Sequence, residues 1–506
     1  MLLASIAPGR LSARARRRLA ELRRKFPKAS VPEPRPTVAS FVGPPIPPEA
    51  TRRMSDDQWL GAIAKYDDAI GGPSPTGGLV GGAFQLAQVL QNETKADPQR
   101  FAALLDRFPN GTHVAYLEAV MRGVTESSAS PDLLVRVCER LHGVPLRPCG
   151  LEITRALRSM RDVYFPGEML GILSWYATED PDPLPPAPVS NGAGAQSSGL
   201  DLQTRGVNCV RGSAAAAIAD LIFANPARGS SFLPLIGKMT RDPSAAVRVW
   251  VIESITALLN VDRDLAVRLF VNLASGSEEP LGTEIAVRFL AYAGRTHYEQ
   301  LEPVLKSMMA SVDPDVARAG ARAACILSCT EQGAEHLARE VLDSGPEQRV
   351  AAVAVFVEAV WHAPRRAFAE EALARLFRDP DPEVRKQAAD TFRHSDGHLA
   401  ERPGLIQAFI VSAAFPEHPP DLLHYLLESA VVPPEIACRA CEAALDGRPT
   451  LANPHVRGTR EISRLLVRTY TQTVDPAIKR RCLDLIDRVI EIDVLDAVDA
   501  LGSLDR

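Results

Sequence analysis

The residues able to do chemistry are few and scattered. Cys438 and Cys441 stand as C-x-x-C in ACRACEAAL. A zinc site needs a second pair at matching spacing, and the sequence offers none. Cys325 and Cys329 are one helical turn apart, with no histidine placed to join them. Small buried residues account for both pairs more simply. His394 and His398 are four apart in HSDGH, but the stretch reads as a loop after a helix and lacks the glutamate of H-E-x-x-H. Ser174 and Ser254 lack the G-x-S-x-G setting of a nucleophile elbow. The glycines of GGLVGGAF, from Gly77, follow no strand and precede no lysine, so they read as a helix–helix turn rather than a phosphate cradle. Carboxylates are abundant, but no spacing singles out an acid–base pair. The sequence therefore assigns no catalytic, cofactor or metal residues, and the expectation is a chain that is not an enzyme and uses no cofactor.

One charge cluster stands out: Arg14, Arg16, Arg17, Arg18, Arg23, Arg24 and Lys25 on a basic amphipathic stretch. Such a segment can dock on nucleic acid, an acidic lipid surface or an acidic partner, or it can be a solvated helix that keeps a terminus soluble. Residues 1–28 carry a net charge of +8, while the whole chain carries −5. The body is acidic, which gives no support to a dedicated nucleic-acid binder.

The elements around these residues read as helices. Aromatics are 6% of the chain, and the apolar set is dominated by Ala and Leu, a mix suited to helix packed on helix. At 506 residues the chain exceeds one compact core. The basic helix spans residues 1–26 and a Pro-rich linker 27–54, with eight prolines between Pro27 and Pro48. N-terminal helical hairpins follow over 55–179, with helices expected at Gly82–Gln91, Pro98–Phe108, His113–Gly123, Pro131–Leu141, Leu151–Met160 and Gly167–Thr178. A Pro/Gly/Ser-rich loop is expected over 180–205, because five prolines and NGAGAQSSG cannot form a helical hairpin. HEAT-like repeats are expected over 206–395, then C-terminal helical repeats and a cap over 396–506. No apolar run reaches membrane-spanning length; the best, Val350 to Trp361, is short and contains Glu358. Eight scattered cysteines suggest a reducing, cytoplasmic setting.

The second half repeats itself. RDPSAAVRVW from Arg241 and RDPDPEVRKQ from Arg378 share Asp-Pro and then Val-Arg at one offset: Asp242 with Arg248, and Asp379 with Arg385. VDPDVARAG gives a shorter copy with Asp313 and Arg318. Marker prolines at 243, 280, 314, 346 and 380 are 37, 34, 32 and 34 residues apart. That period without strand signals means a two-helix solenoid unit. Asp is expected to cap the second helix of each pair, with Pro in its first turn.

The pattern over Gly206 to Ser395 resembles the HEAT family, whose units place an Asp-Pro turn before Val-Arg and small residues. The resemblance implies an all-α, right-handed α-solenoid of HEAT-like helical hairpins. It also implies a structural ladder between adjacent repeats, carried here by Asp242, Arg248, Asp313, Arg318, Asp379 and Arg385. A wider resemblance rests on KFPKA at Lys25, SDDQWLGAIAKYD at Ser55, VNCVRGSAAAAIADL at Val207 and RLLVRTYTQTVDPAIKRRCLDLIDRVI at Arg464. These strings look like the C-terminal helical-repeat arm of large bacterial STAND or NACHT-like NTPases, which senses a ligand or partner. The chain departs from such NTPases in having no G-x-x-x-x-G-K-[ST] phosphate loop.

Two functional readings follow. In the first, the chain is a non-catalytic scaffold or sensor arm binding another protein on its helical surface, with an NTPase as the partner the second resemblance implies. In the second, it is a HEAT-type nucleic-acid-binding protein or DNA glycosylase-like enzyme. That reading needs a basic face with aromatics and an Asp among them. Sparse aromatics and an acidic body favour the first.

Overall fold

The computed structural model describes residues 12–25, 42–67, 81–163, 165–184, 198–362, 364–394, 402–429, 431–446 and 458–492. No β-strand occurs among them. The chain is an all-α assembly that divides into two compact units, residues 1–123 and 124–506.

The first unit holds α1 (Ala13–Lys25), α2 (Pro48–Thr51), α3 (Asp56–Lys65), α4 (Ala83–Ala96), α5 (Pro98–Leu105) and most of α6 (Val114–Thr125). Ser55 starts α3 with a reciprocal cap. Its hydroxyl accepts the Gln58 N–H at 3.3 Å, and its own N–H donates to Gln58 Oε1 at 2.8 Å. Behind that cap Trp59 is fully buried and meets Phe101 edge-on at 5.7 Å. Arg100 ties α5 to the start of α3 through Asp56 and the Met54 carbonyl, each at 2.7 Å.

The second unit opens with α7 (Pro131–His142), α8 (Gly150–Ser159), α9 (Gly167–Thr178), α10 (Gly199–Val207) and α11 (Val210–Ala224). It continues through α12 (Gly229–Met239), α13 (Ala245–Leu258), α14 (Arg263–Gly276), α15 (Glu284–Met309), α16 (Pro314–Ser328), α17 (Glu335–Leu342) and α18 (Pro346–His362). It ends with α19 (Arg366–Leu376), α20 (Pro382–Ala389), α21 (Pro403–Ile410), α22 (Ala414–Glu417), α23 (Pro419–Glu428), α24 (Pro434–Asp446), α25 (Thr459–Gln472) and α26 (Pro476–Ile492).

This is solenoid packing. The second helices of successive pairs stack in sequence order: α11 on α13, α13 on α15, α15 on α16, α16 on α18 and α18 on α20. In α13, Val247, Val249, Val251, Ile252 and Ile255 are all fully buried. These residues point in different directions around the helix, so α13 is apolar on nearly every side and must be covered by neighbours. Burying each such side chain contributes about 1.5–3 kcal/mol, which no single helical pair could collect. α15 serves two repeats. Its helical backbone breaks at His297 (φ −129°, ψ 34°), so its first part closes one pair and its second part opens the next.

Two expectations change. The stretch 180–205 is not loop throughout: α10 begins at Gly199, capped by the Ser198 hydroxyl accepting the Asp201 N–H at 3.2 Å. Glycine makes this helix possible, because it lies too close to its neighbours for side chains. A Cβ at Gly206 would sit 2.3 Å from the Ala246 carbonyl, and one at Gly199 would sit 2.1 Å from that of Gly282. The NGAGAQS part of the stretch, residues 191–197, lies outside the described residues. The caps also differ. Asp313 caps α16 as expected, but Asp242 and Asp379 sit two residues before their caps, Ser244 and Asp381.

Candidate functional site

The turns entering α13, α16, α20 and α26 share one construction. An oxygen-bearing side chain accepts the N–H two residues ahead, and that next residue occupies the cap. Asp242 accepts from Ser244 at 2.8 Å, Ser311 from Asp313 at 3.0 Å, Asp379 from Asp381 at 2.9 Å and Thr473 from Asp475 at 3.2 Å. The capping carboxylates of Asp313, Asp381 and Asp475 then accept the N–H two residues further on, at 2.9, 2.9 and 2.8 Å. These are local Asx- and Ser/Thr-type turns, which is why short polar residues recur at this spacing.

In α13, α18 and α20 an arginine in the first turns reaches back to its own turn. Arg248 Nη1 donates to the Asp242 carbonyl and Arg349 Nη1 to that of Ser344, while Arg385 Nη1 donates to that of Asp379 at 2.7 Å. In two of them, Arg349 and Arg385, the remaining guanidinium nitrogens reach forward to the next repeat. Arg349 grips the Asp379 carboxylate at 2.7 and 3.0 Å, and Arg385 grips Glu417 at 2.9 and 2.6 Å. Two-pronged charge-assisted bonds of this kind fix register as well as distance.

The ladder therefore has different partners from those expected. Asp242 does not pair with the Arg248 side chain; Arg211 holds its carboxylate, at 2.7 and 3.3 Å. Asp379 pairs with Arg349 rather than Arg385. Arg318 binds Asp315 on its own helix at 2.7 Å and approaches Glu347 of the next repeat at 3.6 Å. Asp313 is purely a cap. Arg248 is lowered in pKa by burial, opposed by the charges of Glu279 and Asp242, and its Nε has no hydrogen-bond partner. Spacing places Asp and Arg in one repeat, but the side chains span the gap to the following one.

The same turn occurs once more, interrupted. Asp180-Pro181-Asp182-Pro183 copies Asp379-Pro380-Asp381-Pro382. Asp180 accepts the Asp182 N–H at 2.9 Å. Asp182 then caps α11 from 28 residues away, accepting the Val210 N–H at 2.7 Å. Arg211 Nη1 donates to the Asp180 carbonyl at 2.8 Å, as Arg385 does to that of Asp379. Residues between the cap and its helix are thus an insertion into a repeat turn. The DPDP string was the available signal; read only as proline-rich linker, it conceals both the repeat and Arg211. Burial raises the Asp180 carboxyl above its ordinary range.

The inserted α10 lies across the following repeats. Trp250 of α13 donates to the Gln203 carbonyl at 2.9 Å, and the Gly199 N–H donates to Asp315 of α16 at 3.1 Å. Leu202 is buried, while Leu200 is 74% exposed. Val312, in the turn entering α16, is 93% exposed, and Leu184, just after the DPDP turn, is 75% exposed. This edge offers apolar side chains on an otherwise polar row of turns.

Other sequence candidates fall elsewhere. Arg14, Arg16, Arg17, Arg18, Arg24 and Lys25 are exposed on α1, with Arg18 bound to Glu21 at 2.9 Å; the Arg23 side chain lies outside the described residues. So do the side chains of His394 and His398, and Gly77 to Val80 of the glycine-rich stretch. Gly82 meets Gln85, whose Oε1 accepts its N–H at 3.0 Å. Ser174 and Ser254 donate to backbone carbonyls of Leu170 and Ala215. All eight cysteines are buried and free. Burial pushes Cys138 up to about 12 and Cys329 to about 11. No metal-binding group of three or more His, Cys, Asp or Glu occurs among the described residues.

No family model matches the chain, and no curated protein matches it. Among solved structures it is similar to one of Kap95p binding to RanGDP, at 12% identity and TM-score 0.38, covering 89% of this chain and 62% of that one. A Kap95:Nup1 complex gives 11% identity and TM-score 0.39, with 89% and 63% covered. The Pds5–Scc1 complex gives 13% and 0.30, with 79% and 65% covered. The chain spans less than two thirds of the length of each.

Proposed function

We propose that this chain is a non-catalytic protein-interaction scaffold or sensor arm, and that its partner docks on the edge formed by the repeat turns and α10. One observation carries the reading: exposed Leu184, Leu200 and Val312 lie along an edge whose turns are clipped together by arginines. A surface held in register before binding loses little conformational freedom on docking. Repeat stacks also present contact area far beyond that of one helical pair. The arginines nearest the turns are already engaged with carboxylates and carbonyls, which leaves this edge little free positive charge for phosphates.

Within that reading, the partner we favour is an NTPase of the STAND or NACHT-like type. The support is the likeness of the strings at Lys25, Ser55, Val207 and Arg464 to the sensing arms of such proteins. The test is binding of the purified chain to a phosphate-loop NTPase encoded beside it, by the wild type and by a Leu200→Asp, Val312→Asp double variant. Binding by the wild type, lost in a variant with unchanged circular dichroism, supports the docking edge. Equal binding by both moves the site elsewhere. Retention of nucleic acid in place of any protein overturns the reading.

A further inference from the structure

The C-x-x-C of the sequence conceals a different pair. Cys438 lies on α24 and Cys482 on α26, helices that pack directly on one another. The two Sγ atoms are 3.6 Å apart, and both residues are fully buried. Cys441, one turn along α24, has its Sγ 4.0 Å from the Ile462 carbonyl. Beside the sulfurs, Arg481 of α26 forms an ion pair with Glu442 of α24. Both partners are more than a third exposed.

We infer that Cys438 and Cys482 form a reactive dithiol, which a hydroperoxide converts into a disulfide joining α24 to α26. The sulfurs are in contact, and bonding requires them to close only from 3.6 Å to about 2.05 Å, within reach of small side-chain rotations. The chemistry divides between the two residues. Cys438 is lowered in pKa by the hydrogen bond from Cys482, against its own burial, with a further contribution from the Arg481 charge. Cys482 is raised, first by that same hydrogen bond. Cys438, reacting as its thiolate, is taken as the attacking residue and Cys482 as the resolving thiol.

The steps balance. The Cys438 thiolate attacks one peroxide oxygen, the O–O bond breaks, and Cys438 sulfenic acid and hydroxide form. Cys482 sulfur then attacks the sulfenic sulfur, forming the S–S bond; the sulfenic oxygen leaves with the Cys482 proton as water. Overall two thiols and one hydroperoxide give one disulfide and two waters, or water and an alcohol, with the thiols oxidised by two electrons. The new bond closes the chain between residues 438 and 482 and locks the last helices together.

The test uses the full chain. Reduced protein is exposed to hydrogen peroxide, remaining thiols are alkylated after denaturation, and non-reduced peptides are mapped by mass spectrometry. The expected product is one cross-linked peptide pair joining Cys438 to Cys482, reversed by dithiothreitol, absent in Cys482→Ser and retained in Cys441→Ser. A Cys438–Cys441 bond overturns the inference. So does recovery of Cys438 and Cys482 as alkylated thiols, or as separate over-oxidised acids. The wild-type map decides even if a variant folds poorly.

Discussion

Arg211 and Asp242 belong to adjacent repeats, and each is sealed inside the protein by the other. Their side chains are 8% and 6% exposed, and Arg211 also reaches the carbonyls of Asp180 and Pro183. A buried ion pair adds little net stability over a well-packed apolar pair, but losing one member strands the other. Its role is to hold one repeat in register on the next.

Arg211→Ala should therefore destabilise strongly, by about 3–5 kcal/mol, because the Asp242 carboxylate is left buried without its partner. Arg385→Ala should cost less, about 1–2 kcal/mol, since Glu417 is 40% exposed and can turn to water. Urea denaturation of both variants checks the order. An Arg385 variant weaker than the Arg211 variant contradicts the ladder as described.

Acid should loosen the Arg385 rung. The Arg385 hydrogen bonds hold Glu417 below its ordinary 4.5. Because the folded value is the lower one, the unfolded chain binds the extra proton in this window. The stabilisation is complete above about pH 4.5 and is lost as pH falls through the folded value. Glu417→Gln should flatten the stability profile below pH 5, by about 1 kcal/mol or less given its exposure. A profile as steep as that of the wild type counts against the assignment.

The insertion should be removable. Deleting residues 185–209 joins Asp182-Pro183-Leu184 to Val210-Arg211, which reproduces the spacing of Asp381-Pro382-Glu383-Val384-Arg385. The cap then acts from three residues away instead of from 28. The variant should retain its helical circular dichroism and unfold cooperatively, with a lower melting temperature from the lost α10 contacts. A chain that aggregates or loses helicity shows that the insertion is part of the core.

Gly206→Val should lift α10 from α13, because a Cβ there would lie 2.4 Å from Trp250 Cδ1 and 2.3 Å from a backbone oxygen. Overpacking of this kind costs about 1–3 kcal/mol. Trp250 would lose its bond to the Gln203 carbonyl, and emission should shift to the red. In a Trp250→Phe background the shift should vanish. A red shift that survives there comes from another tryptophan.

Much of this protein was legible in its sequence. Apolar periodicity, proline and glycine punctuation and a recurring Asp-Pro placed the helices, with Gly167–Thr178 found at the expected bounds. These signals act within one turn of chain, so a linear reading recovers them. The solenoid followed from the physics of one helical pair, whose apolar stripes need neighbours. The resemblance implied rungs between adjacent repeats, but which residues form them was not legible. Arg349 and Asp379 are 30 residues apart, Arg211 and Asp242 are 31, and Cys438 and Cys482 are 44. Sequence offsets within one motif grouped Asp242 with Arg248, and the C-x-x-C spacing drew notice to Cys441 beside Cys438 while leaving Cys482 out of view. Stacking of the helices decided otherwise: it brings the first turn of one repeat against the cap of the next, and α26 against α24. Which arginine meets which carboxylate, and which thiol meets which, is set by that packing.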